Sequence, residues 1–445
     1  MDTVKAIYRF SHRSMRRHFA WHFMKSMAAW IAFVLLGSGF MPDASALEEH
    51  ALKLMIVSDL HYLSPSLYEN SRSLFENALK SGDGKMTQYS RELLNALVLE
   101  ARHQQPDALI ITGDLSFNGE KASHLDLAAA FEALRLHGID VWVMPGNHDI
   151  NYPYAGGFSG SDFVPVPNIS PDAFRDIYAA SMGSVPSDAS HMSYAVRLQD
   201  DLWLAMCDMC IYDPMNAPDG LYTADIETWL QSVLDDAAAS GARVITATHQ
   251  SMIPHTEFMA ASMSVLRGEQ MTLEKKRSGR SLLNLSGHLH LQHISESDGI
   301  FDIATGAMCV PPFRYGMLSI RDDGSMEYQA CSLCREHLPE DMAGLADTWF
   351  ETIVMDKERP LLTALHVPEK NREQMLAYAA RLNHAYFSGD FVSTDDVWLE
   401  DPAFAMWKEL VGRDSFAAYL TLLPGSPENT HSSLHLVLPS AGSAH

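Results

Sequence analysis

Residues 282–293 read LLNLSGHLHLQH. An apolar run stops at Ser286 and Gly287, and two histidines, His288 and His290, then flank a single leucine. Short apolar runs bounded by turn residues read as buried strands, so two imidazoles stand close together where a strand ends. Chance supplies one reading, because the chain holds 21 histidines and some must fall near one another. A metal site is the other, and it requires partners elsewhere in the sequence.

Those partners stand at the ends of four other apolar segments. LKLMIVS (52–58) leads into Asp59-Leu60-His61, and DALIIT (107–112) leads into Gly113-Asp114. VWVMP (141–145) leads into Gly146-Asn147-His148-Asp149, and RVITAT (243–248) into His249. Between them, QYSRELLNALVLEARH (88–103) carries apolar residues at helical spacing, and LDLAAAFEALRLHG (125–138) is helical and stops on Gly138. Strand, helix, strand, helix, strand at these lengths means βαβ units and an α/β fold with a largely parallel sheet. In such sheets functional groups gather at the carboxyl ends of the strands, so the five clusters can share one crevice. Glycine before three of them lets the backbone turn sharply and approach a bound group closely.

Any single cluster is weak, since a histidine after a strand is more often structural than a ligand and an aspartate there is more often a helix cap. Five strand ends carrying Asp, His or Asn, with no cysteine among them, point to a shared site. Imidazole nitrogens with carboxylate and amide oxygens suit Mn, Fe or Zn, and a thiolate-free set disfavours a purely structural zinc. Seven such groups suggest two metals bridged by a carboxylate, about 3.5–4 Å apart. A pair of that kind lowers the pKa of a bridging water and clamps a phosphoryl group during in-line displacement.

In this order, DLH, GD, GNHD, a lone His and GHLH resemble the five-motif signature of the calcineurin-like metallophosphoesterases, over about residues 52–320. The resemblance implies a four-layer αββα sandwich with a small all-helical C-terminal domain. It further implies that Asp59, His61 and His290 hold one metal, that Asn147, His249 and His288 hold the other, and that Asp114 bridges them. The two histidines of 282–293 then serve different metals. His148 takes the place of the family's non-ligand histidine, which contacts the phosphate and protonates the leaving oxygen. Asp149 is expected to orient that imidazole, with a helix N-cap as its alternative. Many relatives carry a second histidine after the fourth-motif ligand, where this chain has Gln250, a departure that bears on the nearby substrate contact.

The rest of the 445 residues sets the context. Residues 1–26 carry Lys5, Arg9, Arg13, Arg16, Arg17 and Lys25, MAAWIAFVLLGSGF covers 27–40, and ASA follows at 44–46. That layout is a secretory signal peptide with cleavage expected after Ala46, and its apolar run is short for a membrane span. A start at Met24 gives a more compact signal, and Arg16-Arg17 is a faint twin-arginine pattern. No stable membrane anchor is expected after cleavage. Removing six basic and two acidic residues takes the formal charge from −24 to −28, a surface that repels polyanions and makes a nucleic-acid polymer a poor partner. The cysteines fall as Cys207/Cys210, Cys309 and Cys331/Cys334, too far apart for a zinc ribbon, so disulfides within or between the pairs are expected in an exported protein, with a plain buried thiol the alternative for Cys207 at the end of LWLAMC.

The expected domain limits are 1–46 for the signal, 47–335 for the phosphoesterase domain, 336–423 for the helical region and 424–445 for a loose tail. Stripes at helical spacing, Met342, Leu345, Ala346, Trp349, Phe350 and Ile353, then Met375, Tyr378, Ala379, Leu382 and Tyr386, mark the helical region. Additional strands are expected at 192–198, 202–207 and about 301–305, 315–320 and 326–331, with a helix over 224–240.

For substrate, GDLSFNGEKASH (113–124) and the helical region resemble a bacterial exported subgroup related to class III cyclic-nucleotide phosphodiesterases. The expectation is a secreted phosphodiesterase acting on cyclic nucleotides or similar small diesters. A phosphomonoesterase or nucleotidase, and a non-catalytic binding module, are the alternatives. In the loop 151–170, Tyr152, Tyr154, Phe158 and Phe163 either stack a base near the metals or pack the loop itself. His255 is read as a surface or core histidine.

Overall fold

The structure, a computed structural model, describes residues 51–437 except 69–74, 76–83, 160–161, 184–190, 214–215, 257–263, 411–417 and 426–430. The signal peptide expected over 1–46 lies outside the described residues. LKLMIV, ALII and DVWV, short apolar and β-branched runs, form three parallel neighbours: β1 (Leu52–Val57), β2 (Ala108–Ile111) and β3 (Asp140–Val143). Helices α1 (Ser90–Gln104) and α2 (Lys121–Arg135) link them as the sequence periodicity requires. The loop after β3 holds a hairpin, β4 (Gly156–Ser159) and β5 (Asp162–Pro165), and the short helix α3 (Pro171–Ile177).

A second set of strands follows. It comprises β6 (Tyr194–Gln199), β7 (Leu202–Met206), β8 (Cys210–Ile211), β9 (Ala217–Leu221), β10 (Arg243–Ala247), β11 (Val265–Leu266), β12 (Leu283–Ser286), β13 (His293–Ser297) and β14 (Ile300–Ala304). Helices α4 (Ala224–Ser240) and α5 (Gly268–Ser278) lie among them, and β15 (Arg314–Ile320) and β16 (Ser325–Ser332) return to the first sheet. The C-terminal region is α6 (Glu340–Ala364), α7 (Glu369–Ser388), α8 (Asp396–Leu399), α9 (Pro402–Leu410), α10 (Tyr419–Leu422) and β17 (Ser433–Val437).

Two six-stranded sheets result, β17-β16-β15-β1-β2-β3 and β13-β14-β12-β10-β7-β6. Every residue of β2 is buried, as a strand lying between helices on one face and a second sheet on the other must be. Leu93 and Leu97 of α1 and Leu127 and Phe131 of α2 share one core with Ile56, Ile110, Leu204 and Leu285 from both sheets. On the far side, Ile226, Leu230 and Leu234 of α4 pack on Trp203 and Val244. The layers therefore run αββα. Each such side chain, fully buried, contributes about 1.5–3 kcal/mol.

The helical region is fastened to this sandwich rather than standing apart. Met342, Ala346, Trp349, Phe350 and Ile353 belong to the main core, and the Trp349 indole donates to Gly84 O at 3.0 Å. The α7 stripe packs on Leu289 and Leu291, while Gln292 N donates to Phe387 O at 2.9 Å. The stretch 282–293 thus points Leu289 and Leu291 at the helices, while Leu283 and Leu285 enter the main core. Two expectations need correcting. The tail is not wholly loose, because β17 pairs antiparallel with β16. All five cysteines are free; Cys207 and Cys309 are buried in separate cores, each as a plain thiol among apolar side chains.

Candidate metal centre

Five loops converge because their backbones are tied to one another. Asp59 N donates to Gly113 O, His61 N to Asp114 O, and Gly287 N to His249 O, at 3.1, 3.0 and 2.9 Å. Asp59, His61, Asp114, His288 and His290 all adopt left-handed backbone, with φ of 53°, 40°, 49°, 67° and 53°. Non-glycine residues there cost about 1–3 kcal/mol each, and such strain collects at functional sites. The glycines are required by proximity: a Cβ on Gly146 would meet Asp114 Oδ1 at 2.2 Å, and one on Gly287 would meet Ser58 Oγ at 1.7 Å.

The structure brings all seven expected ligands together in two groups. In one, His61 Nε2 lies 3.0 Å from His290 Nε2, and Asp59 Oδ1 lies 3.4 Å from His290 Nε2. In the other, His249 Nε2 lies 3.0 Å from Asn147 Oδ1 and 3.3 Å from His288 Nδ1. Asp114 stands between them, with Oδ2 3.5 Å from His61 Nε2 and Oδ1 3.4 Å from His249 Nε2. Asp59-His61-His290 and Asp114-His249-His288 each present donor atoms within 4.8 Å of one another.

This donor set fits metal ions. His249 Nδ1 lies 2.8 Å from Thr112 O and must donate to it, so Nε2 carries a lone pair. That lone pair faces the oxygens of Asn147 and Asp114, acceptor against acceptor, unless a cation lies between. Without a metal, a proton fills that role. Burial opposes a charged His249, but the Asp114 carboxylate outweighs it and the pKa is pushed up to about 9. Burial and the His249 charge push His288 down to about 3. Burial also works against the Asp114 anion, yet His249 and His148 hold its carboxyl well below the usual range. Asp59 Oδ1 is wholly buried and accepts no hydrogen bond among the described residues, an expensive state that a cation relieves.

The sequence profile of the calcineurin-like phosphoesterases matches residues 52–292, more than half of the chain. The chain belongs to this family. Comparison with curated proteins finds no similar sequence. Among solved structures, the chain is similar to a dimetal phosphatase from Danio rerio at 15% identity, covering 64% of this chain and 96% of that one with a TM-score of 0.47. A purple acid phosphatase from yellow lupin gives 12%, 64%, 52% and 0.41. A 5'-nucleotidase, described as putative, from Staphylococcus aureus gives 14%, 68%, 59% and 0.39.

In this metallophosphoesterase His148 sits over the centre, its backbone N–H donating to Asp114 Oδ1 at 2.8 Å. Its Nδ1 lies 2.9 Å from Asn118 Oδ1 and 3.1 Å from Phe117 O. Both are acceptors, so Nδ1 carries the hydrogen and Nε2 is left for a ligand. Asp149 does not touch this imidazole, contrary to expectation, and does not cap a helix. It accepts from Gly146 N, Leu115 N, Ser116 N and Ser116 Oγ at 2.8, 3.0, 2.8 and 2.8 Å, pinning the Asn147-His148 turn to the Asp114 loop. Burial and the Asp114 charge push its carboxyl up to about 7, against those four donors.

Gln250 turns away from the centre, its amide donating to Pro218 O at 3.1 Å. Tyr152 stacks on His148 at 4.6 Å, while Phe158 packs on Phe75 and Phe163. None of these rings, nor Tyr154, lines the cavity over the centre; Phe158 and Phe163 pack within the loop, and Tyr154 is exposed. His255 is a core histidine, 3.1 Å from His293.

That cavity, about 560 Å³, runs from Asp114, Asn147, His148, His288 and His290 to the helical region. Phe350, Ile353 and Val354 of α6 and Phe387 of α7 form its apolar wall, and Lys85 and Lys357 also line it. The Lys85 charge bears on His61 and His148, which places it beside the metal end. Asn118 and Lys85 were missed in the sequence. Asn118 at least lay inside the GDLSFNGEKASH stretch, whereas nothing in SGDGKM marks Lys85. Among the described residues, no helix is long and apolar enough to cross a membrane.

Proposed function

We propose that this chain is a dimetal phosphodiesterase acting on small diesters, cyclic nucleotides among them. The observation that carries the reading is the cavity of about 560 Å³ with an apolar wall facing the metal centre. A diester carries a second organic group, and such a wall gives it a place to lie. Imidazole, carboxylate and amide donors suit Mn, Fe or Zn. When bound, the two ions supply Lewis acidity and an activated water for in-line attack.

The chain's own residues do the rest. Asp114 spans the two half-sites and fixes their separation. The Lys85 ammonium offsets charge that builds on the phosphoryl oxygens. His148, held at Nδ1 by Asn118 and Phe117, aims Nε2 at the leaving oxygen; in its doubly protonated form it gives that oxygen the Nε2 proton and returns to the neutral Nδ1–H ring, help typically worth about 10²–10⁴ in rate. Export through the basic and apolar segment of residues 1–46 belongs to the same reading.

A monoesterase is the second reading, because Lys85 and Lys357 both line the cavity and paired cations suit a dianion. The test compares bis(p-nitrophenyl) phosphate with p-nitrophenyl phosphate on metal-stripped protein before and after Mn²⁺. Metal-restored cleavage that favours the diester supports the proposal. A monoester preference overturns it in favour of a phosphatase, and no turnover with metal bound favours a binding module.

A further inference from the structure

The cavity has a far end that the phosphate does not need. There α6 presents Phe350, Ile353, Val354, Lys357 and Glu358, one stripe at helical spacing. The same face carries core residues on both sides, Ala346 and Trp349 before and Leu362 after. Glu358 therefore occupies a position where the pattern calls for an apolar side chain. It is 7% exposed and lines the cavity. Among the described residues its carboxylate accepts no hydrogen bond; burial pushes its carboxyl up, with the Lys357 charge opposing. Its carboxylate opens into the cavity from a position that the stripe would fill with an apolar side chain, so packing alone does not account for it.

Its polar neighbour offers the same chemistry. Asn383 uses both amide hydrogens on Ala379 O and Tyr419 Oη, each at 2.8 Å, so only its carbonyl oxygen remains for a ligand. This end of the cavity thus offers two acceptors, the Glu358 carboxylate and the Asn383 carbonyl, beside the rings of Phe350 and Phe387 with centroids 5.7 Å apart. Aromatic faces beside a carboxylate suit a cation. Lys85, at the metal end of the same cavity, suits the phosphate.

We propose that the helical region selects a zwitterionic phosphodiester, one whose organic group carries an ammonium held by Glu358 and Asn383 beside Phe350 and Phe387. This rests on the phosphodiesterase reading. The charges divide accordingly, with the phosphate toward the metals and Lys85 and the ammonium toward Glu358. The helical region then acts as the specificity wall of the site.

The test uses the Mn²⁺-loaded full chain and two diesters with one leaving group, p-nitrophenyl 2-aminoethyl phosphate and p-nitrophenyl propyl phosphate. They differ by an ammonium in place of a methyl. Wild-type kcat/KM should favour the amine by about tenfold, the scale of a charge-assisted hydrogen bond, and Glu358→Gln should collapse that ratio to about one. The melting temperature of Glu358→Gln should equal or exceed that of wild type, since no structural hydrogen bond is lost. Equal rates on the two diesters, or a ratio unmoved by Glu358→Gln, overturns the proposal. Should neither diester turn over while p-nitrophenyl phosphate does, the phosphodiesterase reading fails by itself. Thermal shift then decides the inference: phosphoethanolamine must stabilise wild type more than propyl phosphate does, and lose that advantage in Glu358→Gln. Equal shifts overturn it.

Discussion

Replacing Gly146 by alanine adds one methyl group and removes no chemical function, so it isolates geometry. A Cβ at that position meets Asp114 N and Asp114 Oδ1 at 2.2 Å, where real Cβ contacts do not fall below 3.0 Å. The loops after β2 and β3 must therefore part by about 0.8 Å, the difference between those two distances. Asp114 Oδ1 accepts from His148 N at 2.8 Å and faces His249 Nε2 at 3.4 Å, so the same displacement reaches the bridge between half-sites and the general acid. Overpacking of this kind costs about 1–3 kcal/mol. Misplacing reacting groups by about 1 Å costs about 10²-fold in rate. The expected variant is folded, melts a few degrees lower, and hydrolyses bis(p-nitrophenyl) phosphate about 100-fold more slowly at saturating Mn²⁺. Gly344→Ala is the control: it lies in α6 with nothing within 4 Å of the added Cβ, and should raise stability by about 0.5–1 kcal/mol with activity unchanged. Wild-type activity and melting temperature in Gly146→Ala would refute the reasoning.

Other expectations follow from the same contacts. His148→Ala should keep its metal content and lose about 10²–10⁴ in kcat, more for an alkoxide leaving group than for p-nitrophenolate. Asn118→Ala should show a smaller loss with the same leaving-group dependence, which a merely structural defect does not produce. Asp149→Asn turns an amide N–H₂ toward two of four donors and should destabilise by about 2–4 kcal/mol in denaturant titration. Lys275 is wholly buried, and burial pushes its ammonium down to about 7. Between that pH and the ordinary lysine range the unfolded chain binds a proton that the folded chain has lost, so stability should rise with pH across this window. Lys275→Met should flatten that rise in urea titrations at pH 7 and pH 10, and an unchanged difference between the two pH values rules the assignment out.

Much of the site was legible because chemistry and fold coincide in one pattern. Asp59, His61, Asp114, Asn147, His249, His288 and His290 each follow an apolar strand, and an α/β sheet sends strand ends to one edge. Glycine marked the close approaches at Gly113, Gly146 and Gly287 before any distance was known. What was not legible depends on side chains meeting across loops. Asp149 follows His148 in the chain, yet its carboxylate turns back to Leu115 and Ser116. Asn118 takes the imidazole because the Asp114 loop folds over it, and no local spacing encodes that. The strand β17 alternates Ser433, Leu434, His435, Leu436 and Val437, half-buried and exposed in turn, but polar flanks hid the period. Glu358 was hidden for the opposite reason, as one charge inside a stripe recognised only as far as Ile353.

The most direct test of the dimetal account is a titration of metal-stripped protein with Mn²⁺, counting bound ions while following bis(p-nitrophenyl) phosphate hydrolysis. The account predicts two ions per chain, with turnover appearing as the second binds. Full turnover in the presence of chelator, or a single bound ion at full activity, contradicts it.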